Sequence, residues 1–154
     1  MGHAQRLRLG FEALVQFWVE NPDDFRHVYS YRARDEDGDA VKPVLRDQSS
    51  IQAARGFSVS LVRDFFQHHD VEPSDELIQQ FTDAIVVATH GVVAVPLGSP
   101  SMRYCPSEVM ARTTVQAFIG SWTDFIDFIK AHRLTRRPTA EQFLNYLDTV
   151  TRLS

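Results

Sequence analysis

The chain has 154 residues, 44% of them hydrophobic and 23% charged, with a formal net charge of −4. That is enough apolar sequence for one domain with its own core, burying roughly 70% of the unfolded surface, and it excludes a disordered or collagen-like chain. A single cysteine, Cys105, excludes an internal disulfide and a multi-cysteine zinc site and fits a reducing, cytoplasmic setting.

The basic residues are arginines apart from Lys42 and Lys130, and acids outnumber them by 20 to 16, so the phosphate-neutralising footprint of a nucleic-acid module is missing. Short basic groups at Arg6/Arg8 and Arg133/Arg136/Arg137 read as solvated surface charge. The N-terminus carries no apolar segment of a secretory signal, and Arg6 stands where a myristoylation motif needs Ser or Thr. The longest apolar stretch, residues 84–97, is broken by Thr89 and His90 and is shorter than the ~20 residues of a membrane span. No membrane association is expected.

Helical periodicity runs through nearly the whole sequence. Leu7, Phe11, Leu14 and Trp18 draw one stripe on a first helix over residues 4–20. Asn21-Pro22 then stops it and opens a second, with Asn21 as N-cap, Pro22 in the first turn and Asp23/Asp24 facing the positive helix start. Phe25, Val28, Tyr29 and Arg32 belong to this short element. The run from Asp35 to Asp39 resembles a calcium loop, but Arg46 stands at the twelfth position where an EF-hand needs Glu, so it reads as an acidic turn.

A third helix is expected over residues 44–69. Phe57, Leu61 and Phe65 line one side, Val59, Val62 and Phe66 widen it, and Gly56 in its interior marks a close approach or bend. Ser74 with Asp75 and Glu76 caps a fourth helix, residues 75–97, carrying Leu77, Phe81, Ala84, Ile85, Ala88, Val92 and Val95. From Ala84 onward this helix is apolar nearly all round, which calls for cover on more than one side. After a loop with Gly98, Pro100 and Pro106, Ser107 is expected to cap a fifth helix, residues 107–132, with Val115, Phe118, Trp122, Phe125 and Ile129 on its stripe and Ile119 and Ile126 beside it. Thr139 and Gln142 form a capping box for a last helix that buries Phe143, Leu144, Leu147 and Val150. No strand pattern and no internal repeat is found. The expected fold is an all-α bundle of about six helices in one domain.

Catalytic motifs are missing: no P-loop, GxGxxG, HExxH or GxSxG, and no Glu-x-x-His pair of a di-iron bundle. Asp64 and His68 share a helix face, where a salt-linked helix end is the simpler reading than a metal site, and His69 sits near the helix C-terminus. Cys105 has no neighbouring base in the sequence. His90-Gly91 interrupts the most apolar helix. His90 is either a hydrogen-bonded core histidine or a polar group on a ligand cavity or subunit seam. The aromatic residues Trp18, Phe25, Tyr29, Phe57 and Phe65 are equally core or pocket wall. Tyr29, Arg55, Ser58 and His90 are the candidate polar groups of such a pocket, with Leu61 in its wall.

The run Phe17-Trp18-Val19-Glu20-Asn21-Pro22-Asp23-Asp24-Phe25-Arg26 resembles the "ENP-x-x-F/Y-R" helix junction of TetR-family transcriptional regulators. The later run Ala84-Ile85-Val86-Val87-Ala88-Thr89-His90-Gly91-Val92-Val93 resembles the apolar "HG" helix of their regulatory domains. The similarity extends over about residues 5–133. It implies a ligand-sensing and dimerisation domain that encloses a small apolar effector, with no cofactor, no metal and no catalysis. Pocket residues are then Trp18, Phe25, Tyr29, Arg55, Phe57, Ser58, Leu61 and His90. The seam of a homodimer is then Ala88, Gly91, Val92, Val95, Val115, Phe118, Trp122, Phe125 and Ile129. The family's N-terminal helix-turn-helix has no counterpart in residues 1–20, which form one striped helix, so this chain alone is not expected to bind DNA. The competing readings are a dimeric helical interaction module with a filled core, and a helical enzyme using His90 or Cys105.

Overall fold

The computed structural model describes residues 2–29 and 46–153, with side chains from residue 52 in the second segment. The acidic run from Asp35 to Asp39, Arg32, Val44 and Lys42 lie outside the described residues.

Six helices and no strand make up the described residues: α1 (His3–Glu20), α2 (Pro22–Val28), α3 (Arg46–His68), α4 (Asp75–Gly98), α5 (Ser107–Ala131) and α6 (Ala140–Leu153). The chain is an all-α bundle. α1 lies against α5, α3 and α4; α3 and α5 each pack on α4; α6 rests on α4.

Two of the expected caps form. Ser74 Oγ accepts from the Leu77 amide at 3.2 Å. Thr139 and Gln142 exchange both bonds of the capping box, at 2.8 and 3.3 Å. Two others do not. Asn21 makes no side-chain cap for α2; its Nδ2 donates back to the Phe17 carbonyl at 2.8 Å and so closes α1. Ser107 is already helical, and the N-cap of α5 is Pro106, whose carbonyl accepts from Val109 and Met110.

The inner faces are set by the helical period. α1 buries Leu7, Phe11 and Val15. α3 turns Ser58, Leu61, Val62, Phe65 and Phe66 inward, at steps of three, one, three and one. Phe57, one position before Ser58, is rotated away and stands 48% exposed, so it is neither core nor pocket wall. The close approach of α1 and α3 falls at Gly10, where an added Cβ would collide with the Leu61 side chain; Gly56 has open space around it. α6 buries only Ala140 and Tyr146, with Phe143 partly covered. Leu144, Leu147 and Val150, expected inside, are exposed, because a helix at the edge of the bundle covers only part of its apolar arc.

The core divides into two clusters. The larger is aromatic, with Phe66 stacked on Phe81 at 4.8 Å and Trp122 wedged against Phe81 at 5.2 Å and Phe66 at 5.7 Å. Phe143 brings α6 onto Phe81 and Phe125 at 4.8 and 4.9 Å. The smaller cluster joins Val15, Phe25, Val92, Val93 and Ala111, with Trp18 and Tyr29 packed beside it. Thr82 and Thr89 sit in this interior because their hydroxyls donate to the carbonyls of Ile78 and Ile85, one turn back on α4, at 2.7 and 2.8 Å.

α4 extends further than its apolar run, from Asp75 to Gly98, and by length and composition it is long and apolar enough to cross a membrane, with a mean hydropathy of 1.5 over its most apolar eighteen residues. Leu77, Ile78, Phe81, Ile85, Val92 and Val93 nevertheless face other helices of the same chain, as in the core helix of a bundle.

At one end of the bundle the α3–α4 and α5–α6 loops lie side by side. The Glu72 amide donates to the Arg136 carbonyl at 2.7 Å and the Ser74 amide to the Pro138 carbonyl at 2.9 Å. Arg136 pairs with Asp70, and Arg137 with Glu72 at 3.6 Å. Asp70 and Arg133 make the turns out of α3 and α5 with φ of 58° and 52°. Arg6 and Arg8 likewise meet acids, Asp64 and Glu12, at the surface.

Candidate functional site

A cavity of about 200 Å³ lies where the two core clusters part, between α1, α3 and α4 and beside Tyr29. Its apolar wall is Phe11, Leu14, Val15, Trp18, Ala54 and Val86; Arg55, Ser58, Thr89, His90 and Tyr29 add polar groups. The volume suits a single ring or a small bicycle, since an apolar cavity of about 150 Å³ takes up benzene.

Five of the eight expected pocket residues meet here: Trp18, Tyr29, Arg55, Ser58 and His90. Three do not line it. Phe25 is buried behind the wall, its ring 5.1 Å from Tyr29, 5.2 Å from His90 and 5.7 Å from Trp18. Leu61 is taken up in covering Gly10, and Phe57 faces outward. The residues that sequence reasoning placed only in the core stripe, Phe11 and Leu14, and those it passed over, Val15, Ala54, Val86 and Thr89, complete the wall. One signal for them was present: Thr89-His90 is the only polar pair inside the apolar run of α4.

His90 is the least satisfied group in the site. The Val86 carbonyl accepts a hydrogen bond from its ring. Nε2 is buried without a partner. The Tyr29 ring stands edge-on to the imidazole at 3.9 Å. Burial holds the His90 pKa below its ordinary 6.5, outweighing the Val86 hydrogen bond, which acts in the opposite sense. Arg55 reaches from α3 to Asp83 on α4 and forms an ion pair of 2.7 Å.

The shift at His90 fixes a pH dependence. The folded form resists the proton that the unfolded form takes up near 6.5, so stability is full above 6.5 and declines as pH falls toward the lowered folded value. His69, also held low mainly by burial, adds a slope of the same sign. His90→Phe is therefore expected to flatten the decline in melting temperature between neutral and acidic pH without abolishing it. Identical pH profiles for the two proteins would show that His90 titrates as in the unfolded chain.

The expected seam residues fall into two groups. Val115, Trp122, Phe125 and Ile129 are at most 2% exposed within the single chain, so no surface of these side chains is left for a second copy, whereas Val92, 7% exposed, reaches the groove on the outer side of α4. The α5 stripe is the core of the subunit, because α1, α3, α4 and α6 together cover it. Phe118 is partly buried against the same core. Ala88, Gly91 and Val95 do lie on the outer side of α4, where Ala88, Gly91, Val95, Tyr104, Cys105, Val109 and Thr113 edge a shallow groove against α5. Val87 is 70% and Val95 52% exposed. No charged residue occurs between Asp83 and Arg103. On α5 the matching outward positions are Val109, Thr113, Ala117 and Gly120.

Cys105 is exposed. Among the described residues no group of three or more His, Cys, Asp or Glu side chains is arranged to hold a metal ion. His68, set beside Asp64 on the sequence, stacks on His3 at 3.9 Å, and Asp64 pairs with Arg6. No family model, curated protein or solved structure matches the chain.

Proposed function

We propose that the chain is the effector-sensing and dimerisation part of a TetR-like transcriptional regulator, cytoplasmic, binding a small and largely apolar ligand. The observation that carries this reading is the cavity between α1, α3 and α4, walled by Phe11, Leu14, Trp18 and Val86 with a few convergent polar groups. A plain interaction module has no use for such a hollow. A hydrolytic or transfer enzyme built on His90 needs a nucleophile or carboxylate against the imidazole, whereas its ring neighbours are Phe25 and Tyr29.

The second copy is seated on the outer face of α4 and α5, through Ala84, Val87, Ala88, Gly91 and Val95 against Val109, Thr113, Ala117 and Gly120. Two adjacent helices without a charge along this face favour a self-complementary, two-fold contact. The small residues on both helices allow close approach of the backbones; Gly91 and Gly120 have nothing within 4 Å in the single chain. α4 then has two roles. Its inner side carries Val86, Thr89 and His90 into the cavity and its outer side carries Gly91 and Val95 into the seam. A ligand that favours one position of α4 over another shifts the population of dimer geometries.

Toluene, phenol and indole are suitable probes. At a hundred times its Kd, a ligand that binds only the native state adds about 2.7 kcal/mol of stability, which a thermal melt resolves. Val86→Phe, which fills the cavity from α4, is expected to remove the shift. A melting curve that none of the three moves, on a folded chain, removes the ligand from this reading.

A further inference from the structure

Two hollows stand end to end along the bundle, and one side chain lines both. The second, of about 430 Å³, opens between the ends of α1 and α4 and the start of α5, with Met102 and Met110 in its wall. Two helices set the same order independently. α1 gives Phe11, Leu14 and Val15 to the first hollow and Val19 to the second. α4 gives Val86, Thr89 and His90 to the first, then Val92, Val93, Pro96 and Leu97 to the second. The mid-points of these two groups on α4 are about six residues apart, or ~9 Å at 1.5 Å per residue. Trp18, in the last turn of α1, lines both hollows and is the partition between them. Its indole is partly buried and meets Phe25 and Tyr29 edge-on at 5.7 and 5.5 Å. Among the described residues no charged side chain lines the second hollow, whereas Arg55, Ser58 and Thr89 all line the first.

Resting on the sensor reading above, we propose that the two hollows are one binding site joined when Trp18 turns aside, and that the ligand is a straight-chain aliphatic molecule of about eight to ten carbons with one small polar head. The head takes the first hollow and the tail the second. The length follows from the spacing. A fully extended chain advances about 1.2 Å per bond, as a polypeptide backbone does, so about eight bonds cover the ~9 Å between the mid-points. The direction follows from the polar groups, which gather at the first hollow. The shape follows from the neck, which is one side chain wide and suits a single methylene chain. Met102 and Met110 are unbranched thioethers that repack around a tail. A single ring reaches the first hollow alone.

A series of 1-hexanol, 1-octanol and 1-decanol tests this on the whole chain by calorimetry. Each added methylene is expected to tighten binding about fourfold, so that decanol exceeds hexanol by about two hundredfold. In Leu97→Trp, which fills the second hollow from α4, hexanol is expected to bind as before and decanol to lose its advantage. Should that variant not fold, the Met110 methyl signal in the unmodified chain decides: decanol moves it and hexanol leaves it in place. If the gain stops at hexanol, if Leu97→Trp binds decanol as tightly as the unmodified chain, or if Met110 does not respond, the second hollow is not part of the site and the first stands alone. If toluene binds and no alcohol does, the straight-chain ligand is wrong while the cavity reading stands. If none of these molecules binds, both readings fall together.

Discussion

Trp122→Ala is expected to cost the fold about 3–5 kcal/mol, the usual range for truncating a large core aromatic. Trp122 is 2% exposed and its ring contacts Phe65, Phe66, Phe81 and Phe118, drawn from α3, α4 and α5 itself. Removing it opens a hole that four rigid rings cannot close by turning a single rotamer. Against a typical domain stability of about 5–15 kcal/mol, that is a third or more of the total. Urea unfolding at one fixed protein concentration measures it, since a dimer's apparent stability depends on concentration. A loss below about 1 kcal/mol would be normal for a surface site and would mean that the residue is not in the core.

Val95→Asp is expected to do the opposite: keep the fold and break the dimer. Val95 is half exposed in the single chain, so a carboxylate there stays hydrated in the monomer. In a two-fold contact the charge enters twice, near its own mate, with no arginine on the face to answer it. Dimerisation is expected to weaken at least a hundredfold, which corresponds to about 2.8 kcal/mol. Light scattering at micromolar concentration reads the change, and circular dichroism confirms that the helices persist. A monomeric unmodified chain, or a variant that still dimerises, rules out this face as the seam. Together the two substitutions separate residues that hold the subunit from residues that join two subunits.

That separation is also where the sequence was least legible. The stripe of α5 (Val115, Trp122, Phe125, Ile129) is plain in the helical period, but a period reports that a face needs cover and not what covers it. Here α1, α3, α4 and α6 supply the cover, and α1 is about a hundred residues away in the chain. The outer face of α4 was legible for the same reason reversed: an uncharged run longer than one buried side needs is visible in composition alone. Local chemistry read well where the competing partners are few, as at Ser74 and the Thr139–Gln142 box. It failed at Asn21, whose amide serves the preceding helix as readily as the following one. Phe57 against Ser58 shows a second limit. A hundred degrees of helix rotation decides which of two neighbours points inward, and hydrophobicity favoured the wrong one. For the cavity, Trp18, Tyr29, Arg55, Ser58 and His90 were found and Thr89 and the rest of the apolar wall were not, because Phe11, Leu14 and Val86 in a wall look the same in sequence as Phe11, Leu14 and Val86 in a core.

The paired loops at one end of the bundle make the molecule mechanically lopsided. α3 meets α4, and α5 meets α6, under backbone and ionic ties that hold all four helices to a common hinge line. Thr89 and His90 lie some fourteen residues along α4 from that line, about 20 Å at 1.5 Å per residue. A small pivot at the tied end is therefore multiplied along the lever arm: a tilt of about 3° displaces His90 by roughly 1 Å. Widening of the hollow to admit a molecule thus calls for tilting intact rods, with the α4 amides around Thr89 expected to stay as shielded from exchange as those near Ser74, because a rigid tilt leaves the helical hydrogen bonds closed.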